Sequence, residues 1–215
     1  MQARADGFSA LWRTARTLSL RAAAGKARRR LPALFFFTDP QRTPDPVATA
    51  ARLPRGAAVV YRSFGRDDAV PVGLALARVA RARGLVFLVG ADDRLARRLR
   101  ADGLHLPERL LYRGPALRRA NPAWLLTGAG HGEAALRRAR LAGVDAAVLS
   151  PVFTSRSRSA GAALGPVRFA ALVRRARLPV VALGGVNGRT APRLLASGAA
   201  ALAAVDGVHE VRGRP

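Results

Sequence analysis

Cysteine is absent from the 215 residues, so this chain has no disulfide, no thiolate nucleophile and no cysteine metal site. No apolar run reaches the roughly 18 residues that span a bilayer. The arginine-rich start also lacks the apolar segment and the cleavage site of a secretory signal. We therefore expect a cytoplasmic protein with no membrane partner.

Lysine and acidic residues are scarce. Lys26 is the only lysine among 37 basic residues, and with 13 acidic residues the arginine-rich chain has a net charge of +24. Such a charge could serve nucleic-acid binding, because cations neutralise phosphates. However, the arginines are spread over nearly every predicted helix, many near helix C-termini, where a cation offsets the helix dipole. Aromatic residues do not interleave with a basic stripe, so we do not expect nucleic acid as a partner. Steering of phosphorylated substrates is an alternative use of the charge.

Half of the residues are hydrophobic, enough for one sizeable core, and the length favours a single domain. After residue 30, short β-branched or aromatic runs alternate with helical stretches, which indicates parallel strands joined by helical crossovers. The eight runs are 33–38, 57–62, 85–89, 103–106, 124–127, 146–149, 179–183 and 200–205. We predict the α/β class, with a single-domain (β/α)8 TIM barrel over residues 31–215.

Three helix-to-strand connections share one pattern, in which a helix ends near a glycine and the next strand begins at once. They are RLRADGLHL, RLAGVDAAVLS and LLASGAAALAAV. Glycine adopts the left-handed conformation that closes a helix, and the short links match the tight turns of a barrel. Asp102 and Asp145 fall at strand starts, so we interpret both as structural.

The sequence leaves only about ten residues after the eighth run, too few for a full eighth outer helix. We predict that residues 1–30 form a basic helix and linker, and that the helix packs on the barrel beside the last strand or across its bottom. Its apolar stripe consists of Phe8, Leu11, Trp12, Ala15, Leu18 and Ala22. The alternative is a flexible basic leader, because KARRR at 26–30 is typical of a solvated linker.

Reactive groups in such barrels stand where strands end. The candidates there are Thr38, Asp39, Arg62, His105, Glu108, His131, the loop 150–165, Gly184, Gly185 and Asp206. The glycine pair lets backbone N–H groups approach an anion, and the loop adds hydroxyls and arginines that can grip phosphate. A flexible polar loop is the alternative. Asp206 argues against a phosphate unless an arginine lies between them.

Five segments, FFFTD, RADGLHLPE, TGAGH, SPVFTSRSR and PVVALGGV, follow one another as in the thiamine phosphate synthase family, over residues 32–207. The chain resembles that family, which joins a pyrimidine methyl diphosphate to a thiazole phosphate using magnesium. A close relative of the family is a metal-free thiazole tautomerase. The resemblance implies a (β/α)8 barrel that handles thiazole phosphate.

The resemblance implies substrate binding mainly on the thiazole phosphate side. The family's Thr-x-Thr-Lys in the sixth loop corresponds to hydroxyl and cationic residues here. The implied binding residues are Ser155, Arg156, Ser157, Arg158, Gly184, Gly185, Val205 and Asp206. On the pyrimidine side the family's Gln-x-Arg-x-Lys reads VYRSF, and only Arg62 remains.

The family's magnesium ligands are missing. Its Asn-Asp pair falls at Gly90 and Ala91, and its second magnesium aspartate falls at Leu110. We therefore predict no metal site and no cofactor, with Mg²⁺ only if the chain is a working synthase. Asp92, Asp93 and Glu108 are near enough to substitute, although the two aspartates stand where a helix N-cap is expected.

His131 matches the histidine that the tautomerase branch uses near its substrate, and imidazole suits a proton shuttle near neutrality. The alternative role is to cap the helix that begins at Gly132 and Glu133. We interpret His105 as a core residue. The favoured function is thiazole phosphate binding with proton transfer by His131.

Two other functions are open: a synthase that recruits Arg62, Arg158 and Glu108, or a non-catalytic module that binds thiazole or another small phosphate. A third and less favoured alternative is a barrel associated with nucleic acid. Assembly into homo-oligomers is compatible with any of these functions.

Overall fold

A computed structural model describes residues 2–23, 30–155 and 161–208. Eight parallel strands close into a barrel in which β1 pairs with both β2 and β8. The strands are β1 (Leu34–Phe37), β2 (Ala58–Tyr61), β3 (Val86–Gly90), β4 (Gly103–Leu106), β5 (Leu125–Gly130), β6 (Ala146–Leu149), β7 (Val180–Ala182) and β8 (Ala201–Ala204). The predicted (β/α)8 TIM barrel is confirmed, although β5 extends three residues beyond its predicted end at 127.

Helices follow most of the strands. The α-helices are α1 (Gln2–Ala23), α2 (Pro46–Ala51), α3 (Ala69–Arg83), α4 (Asp93–Arg98), α5 (Gly114–Ala120), α6 (Glu133–Leu141) and α7 (Gly165–Arg175). Short 3-10 helices span Glu108–Arg113, Ala191–Leu194 and Asp206–Val208. Within the described ranges, no helix is both long and apolar enough to cross a membrane.

The barrel interior is filled by alternating large and small side chains. Phe35 and Phe37 of β1 point inward, whereas Phe36 points out into the layer that packs against the helices. The strand neighbours of Phe35 are Ala58 on β2 and Ala203 on β8, and both also point inward. The small alanine side chains leave space for the phenylalanine ring, which is how a closed barrel reaches interior packing density.

Helix α1 packs beside the last strand, as one of the two predicted placements requires. It contacts β8, β1 and the 3-10 helix Ala191–Leu194. Leu11, Ala15 and Leu18 of the predicted stripe are fully buried in the outer core, and Phe8 and Trp12 pack against it. The helix thus packs on the side of the barrel where β8 is followed, within the described residues, only by a short 3-10 helix. Residues 26–29 of the predicted linker lie outside the described ranges.

Two of the three predicted glycine turns are confirmed, and the third is wrong. Gly143 and Gly198 have φ values of 68° and 77° near helix ends. Gly103 instead lies in β4, and the left-handed residue after α4 is Arg100, with φ 52°. Gly103 is needed for a different reason: an added Cβ would lie 2.0 Å from the carbonyl oxygen of Leu125 on β5.

The two aspartates at strand starts have structural partners. Asp102 Oδ2 accepts a hydrogen bond from the backbone N–H of Phe87, and Asp145 Oδ2 accepts one from that of Leu126. Arg118 donates to the same Asp145 oxygen over 2.6 Å. These bonds satisfy backbone donors at the end of the barrel opposite the strand C-termini.

Replacing Gly103 with alanine tests the close approach of β4 and β5. The new methyl group meets backbone atoms that cannot rotate away, so Gly103→Ala should lower the free energy of unfolding by at least about 3 kcal/mol. Gly161→Ala is the control, because its Cβ meets nothing within 4 Å; it should change stability by less than about 0.5 kcal/mol. Urea denaturation measures both, and equal stabilities would contradict the prediction.

Candidate active site at the barrel mouth

A cavity of about 1360 Å³ opens where the strands end, and we call it the mouth cavity. Three of the strand-end candidates, Thr38, Asp39 and Glu108, do not line it. It is lined by every described residue that we predict to be catalytic or to bind substrate. These are Arg62, His131, Ser155, Gly184, Gly185, Val205 and Asp206. Three further predicted residues, Arg156, Ser157 and Arg158, lie outside the described residues. The fold therefore brings the seven described binding and catalytic candidates to one place, whereas their roles stay predictions.

An ion-pair cluster joins the first, second and eighth strand ends. Arg42 Nη2 lies 3.0 Å from Asp39 Oδ2, and Arg42 Nη1 lies 3.6 Å from Asp206 Oδ2. Arg62 Nη2 lies 3.4 Å from the same Asp39 oxygen, and Arg62 Nε donates to the carbonyl oxygen of Thr38 over 2.7 Å. An arginine therefore lies beside Asp206, which reduces the repulsion that this carboxylate would exert on a phosphate.

Asp39 and Arg62 of this cluster stay charged at neutral pH. Burial opposes ionisation of Asp39, but Arg42 and Arg62 outweigh it and hold the pKa of the carboxyl below its usual value. Burial lowers the pKa of Arg62 to about 10, against the attraction of Asp39. Both groups are thus ionised near pH 7, and the one carboxylate is shared by two guanidinium groups.

His105 is a buried residue of β4, as predicted. Its Nδ1 lies 2.9 Å from Thr127 Oγ1, and its ring meets the Phe37 ring edge-on at 4.9 Å between centroids. Burial, with Arg62 nearby, lowers the pKa of His105 to about 3. The imidazole is therefore neutral in the folded protein and forms part of the cavity floor.

The carboxylates nearest the implied magnesium positions are already engaged. Asp92 Oδ1 caps α4 by accepting from the Leu95 N–H over 2.9 Å. Asp93 pairs with Arg97 and Arg113, and Glu108 pairs with Arg138. Over the described part of the chain, no three histidine or acidic side chains form a group that could hold a metal ion. These residues do not fit the magnesium site that the resemblance implies.

His131 follows β5 at the rim of the mouth cavity. Its Nδ1 lies 2.8 Å from the carbonyl oxygen of Ser150, which can only accept, so Nδ1 carries a hydrogen. In the neutral ring Nε2 then holds the lone pair of a base. The alternative capping role is wrong: Gly132 is the N-cap residue of α6, and no side-chain cap bond is made there.

The glycine pair after β7 has a packing role that the sequence does not reveal. Gly184 and Gly185 have φ values of 93° and 65°. Added Cβ atoms would lie 2.6 Å from Pro151 Cα and 2.4 Å from the carbonyl oxygen of Thr154. The glycines thus allow the loops after β6 and β7 to pack directly against each other, which places Ser155 beside the pair in the cavity wall.

Several arginines of the mouth cavity were missed by the sequence analysis. Arg42, Arg109, Arg189 and Arg193 all line it. The Arg193 guanidinium carbon lies 5.2 Å from the centroid of the Phe153 ring in the neighbouring loop. Arg189 and Arg193 follow the glycine pair in sequence, but in a chain with so many arginines that position alone does not mark them.

Comparison with known proteins adds the family. The model of the thiamine monophosphate synthase family matches residues 34–208. A thiamine-phosphate synthase of Alcanivorax borkumensis is 33% identical over 191 residues, which cover 82% of this chain and 84% of that protein. A thiamine biosynthesis bifunctional protein of Geobacter sulfurreducens is 32% identical over 178 residues, which cover 81% of this chain but only 36% of that longer protein.

A solved structure is similar in fold. The thiamine phosphate pyrophosphorylase of Pyrococcus furiosus superimposes with a TM-score of 0.68, covering 82% of this chain and 92% of that one. At 20% sequence identity, this likeness supports the barrel architecture and carries no statement about individual site residues.

The low pKa of His105 predicts a pH-dependent loss of stability. Between the unfolded value of about 6.5 and the folded value, the unfolded chain binds a proton that the folded protein does not. The wild type should therefore lose up to about 1.4 kcal/mol per pH unit relative to His105→Gln as the pH falls from 6.5 to 4. Urea denaturation at several pH values measures this difference. Above pH 7 the free energies of unfolding of the two proteins should change in parallel with pH. Parallel changes below pH 6 would contradict the prediction.

Proposed function

Since the chain belongs to the thiamine monophosphate synthase family, we propose that it binds a thiazole phosphate in the mouth cavity and moves a proton on that ring through His131. One observation carries the proposal. The imidazole is held by the Ser150 carbonyl oxygen with Nε2 as its basic atom, at the rim of a cavity that the glycine pair and several arginines also line.

The phosphate end of the ligand is assigned to the loops after β6 and β7. Ser155 supplies a polar group, and Gly184 and Gly185 line the cavity wall beside it. Backbone N–H groups of such a glycine pair can bind an anion. Arg189 and Arg193 line the same part of the cavity and carry positive charge that attracts a phosphate. Arg42 offsets the charge of Asp206.

The proton step needs one group that both accepts and donates. Nε2 takes a proton from one atom of the ring system, the double bonds shift, and the imidazolium returns a proton to another atom. The substrate and product have the same composition, so the step requires no oxidant, leaving group or co-reactant. A positioned imidazole of this kind typically contributes about 10²- to 10⁴-fold to such a rate.

Diphosphate displacement is the second candidate, because the curated relatives are thiamine-phosphate synthases by name. A diphosphate leaving group needs its developing charge neutralised. Asp92, Asp93 and Glu108 are all engaged with other groups, and Arg62 is shared with Thr38 and Asp39. These contacts favour proton transfer over displacement.

Proton exchange in D₂O tests the proposal. The purified protein should catalyse deuterium incorporation into thiazole phosphate, followed by NMR, and His131→Gln should slow it at least about 100-fold with little change in Kd. Glu133→Gln is the matched control. Glu133 is exposed at the start of α6, two residues after His131, and its ion pair with Arg175 is a long one, at 3.7 Å.

The same preparation separates the alternatives. Thiamine phosphate formed from pyrimidine methyl diphosphate in the presence of Mg²⁺ would favour the synthase. Binding of thiazole phosphate without exchange, unaffected by His131→Gln, would favour a binding module. Absence of binding would overturn the proposed function.

A further inference from the structure

Phe64 is an aromatic residue in an unfavourable backbone conformation at the mouth cavity. It follows β2, lines the cavity and is 64% exposed. Its φ of 50° lies in the left-handed region, which bulky side chains rarely adopt. Neither burial nor backbone preference therefore explains a phenylalanine at this position.

The type of turn around Phe64 also disfavours phenylalanine at this position. The Arg66 N–H donates to the Ser63 carbonyl oxygen over 3.1 Å, which closes a four-residue turn with Phe64 and Gly65 at its centre. Both central residues have positive φ, at 50° and 74°. Turns of this kind favour asparagine or glycine at the first central position. A strained residue at a cavity wall points to a function for its side chain.

The Phe64 ring is held by Arg62. The guanidinium carbon of Arg62 lies 5.2 Å from the Phe64 centroid and 5.6 Å from the Phe37 centroid. Arg62 is itself fixed by Thr38 and Asp39. A guanidinium over an aromatic ring attracts it electrostatically. The ring is thus positioned against a fixed cation while most of its surface stays exposed at the cavity.

We propose that Phe64 is a specificity-determining residue whose ring, positioned by Arg62, stacks on a planar heteroaromatic ring in the mouth cavity. This inference rests on the proposed function only in placing the ligand in that cavity. Phe64 would recognise the flat ring of the ligand and not its phosphate, because aromatic stacking depends on a π face. The phosphate is assigned to the loops after β6 and β7. Backbone strain at Phe64 is the cost of presenting that face.

The test compares ring and non-ring ligands. Phe64→Asn should weaken binding of thiazole phosphate and of an aminopyrimidine methyl phosphate about tenfold, and should leave binding of glycerol phosphate unchanged. Phe64→Trp, which keeps an aromatic face, should bind both rings with affinities close to those of the wild type. Because asparagine suits the turn, Phe64→Asn should also raise Tm by about 2–4 °C, which separates lost stacking from misfolding.

Tyr112→Asn is the matched control, because Tyr112 is an aromatic residue that is 76% exposed outside the mouth cavity. It should change none of the affinities. Isothermal titration calorimetry with each ligand gives the comparison. Ring affinities in Phe64→Asn within twofold of the wild type, or a wild type that binds neither ring, would overturn the inference. A protein that binds both rings without catalysing proton exchange would refute the proposed function alone.

Discussion

Pairing of β1 with β8 is the constraint on which the site depends. Closure places Phe35 between Ala58 and Ala203, and the small side chains of these alanines leave room for the phenylalanine ring. Because all eight strands are parallel, closure brings their carboxyl ends to one mouth. Arg42, in the loop after the first strand, can therefore reach Asp206 after the last. Without closure, the two loops would lie at opposite edges of an open sheet.

The few carboxylates at the mouth already have partners. Asp39 and Asp206 both contact Arg42, and the acids after β3 and β4 serve as a cap or as arginine partners. With 13 acidic residues against 37 basic ones, an added divalent cation would compete with guanidinium groups for each oxygen. Such a mouth suits anionic ligands and a neutral base. In the proposed function, the imidazole of His131 would provide the base without adding a carboxylate.

The sequence predicts the architecture better than the site. Alternating apolar runs predict all eight strands, because a buried parallel strand leaves a local signal. The contacts of the site are not local: His131 is oriented by Ser150, and Arg42 is connected to Asp206 only through the closed barrel. The prediction of a helix-closing turn at Gly103 is wrong because two different contacts require glycine. One is such a turn, and the other is the close approach of Leu125 on the next strand, which is the contact that Gly103 makes. Residues that share a pattern can thus serve different contacts.

Positive φ values of residues other than glycine occur in two kinds of place, at helix ends and at the mouth cavity. Among the described residues, four other than glycine have positive φ: Phe64, Ala91, Arg100 and Arg177. The two arginines directly follow the C-caps of α4 and α7, where a left-handed residue closes a helix. Phe64 and Ala91 close no helix, and both line the mouth cavity.

Each strained residue at the mouth is held by hydrogen bonds. The turn around Phe64 is closed by the bond from Arg66 to Ser63, and the Asp92 N–H bonds to the Gly90 carbonyl oxygen across Ala91. The second arrangement is a tight γ-turn, a rare and strained geometry. Ala91 N–H also donates to the His105 carbonyl oxygen on β4. Both strained residues at the mouth therefore lie in loops, after β2 and β3, that backbone hydrogen bonds close.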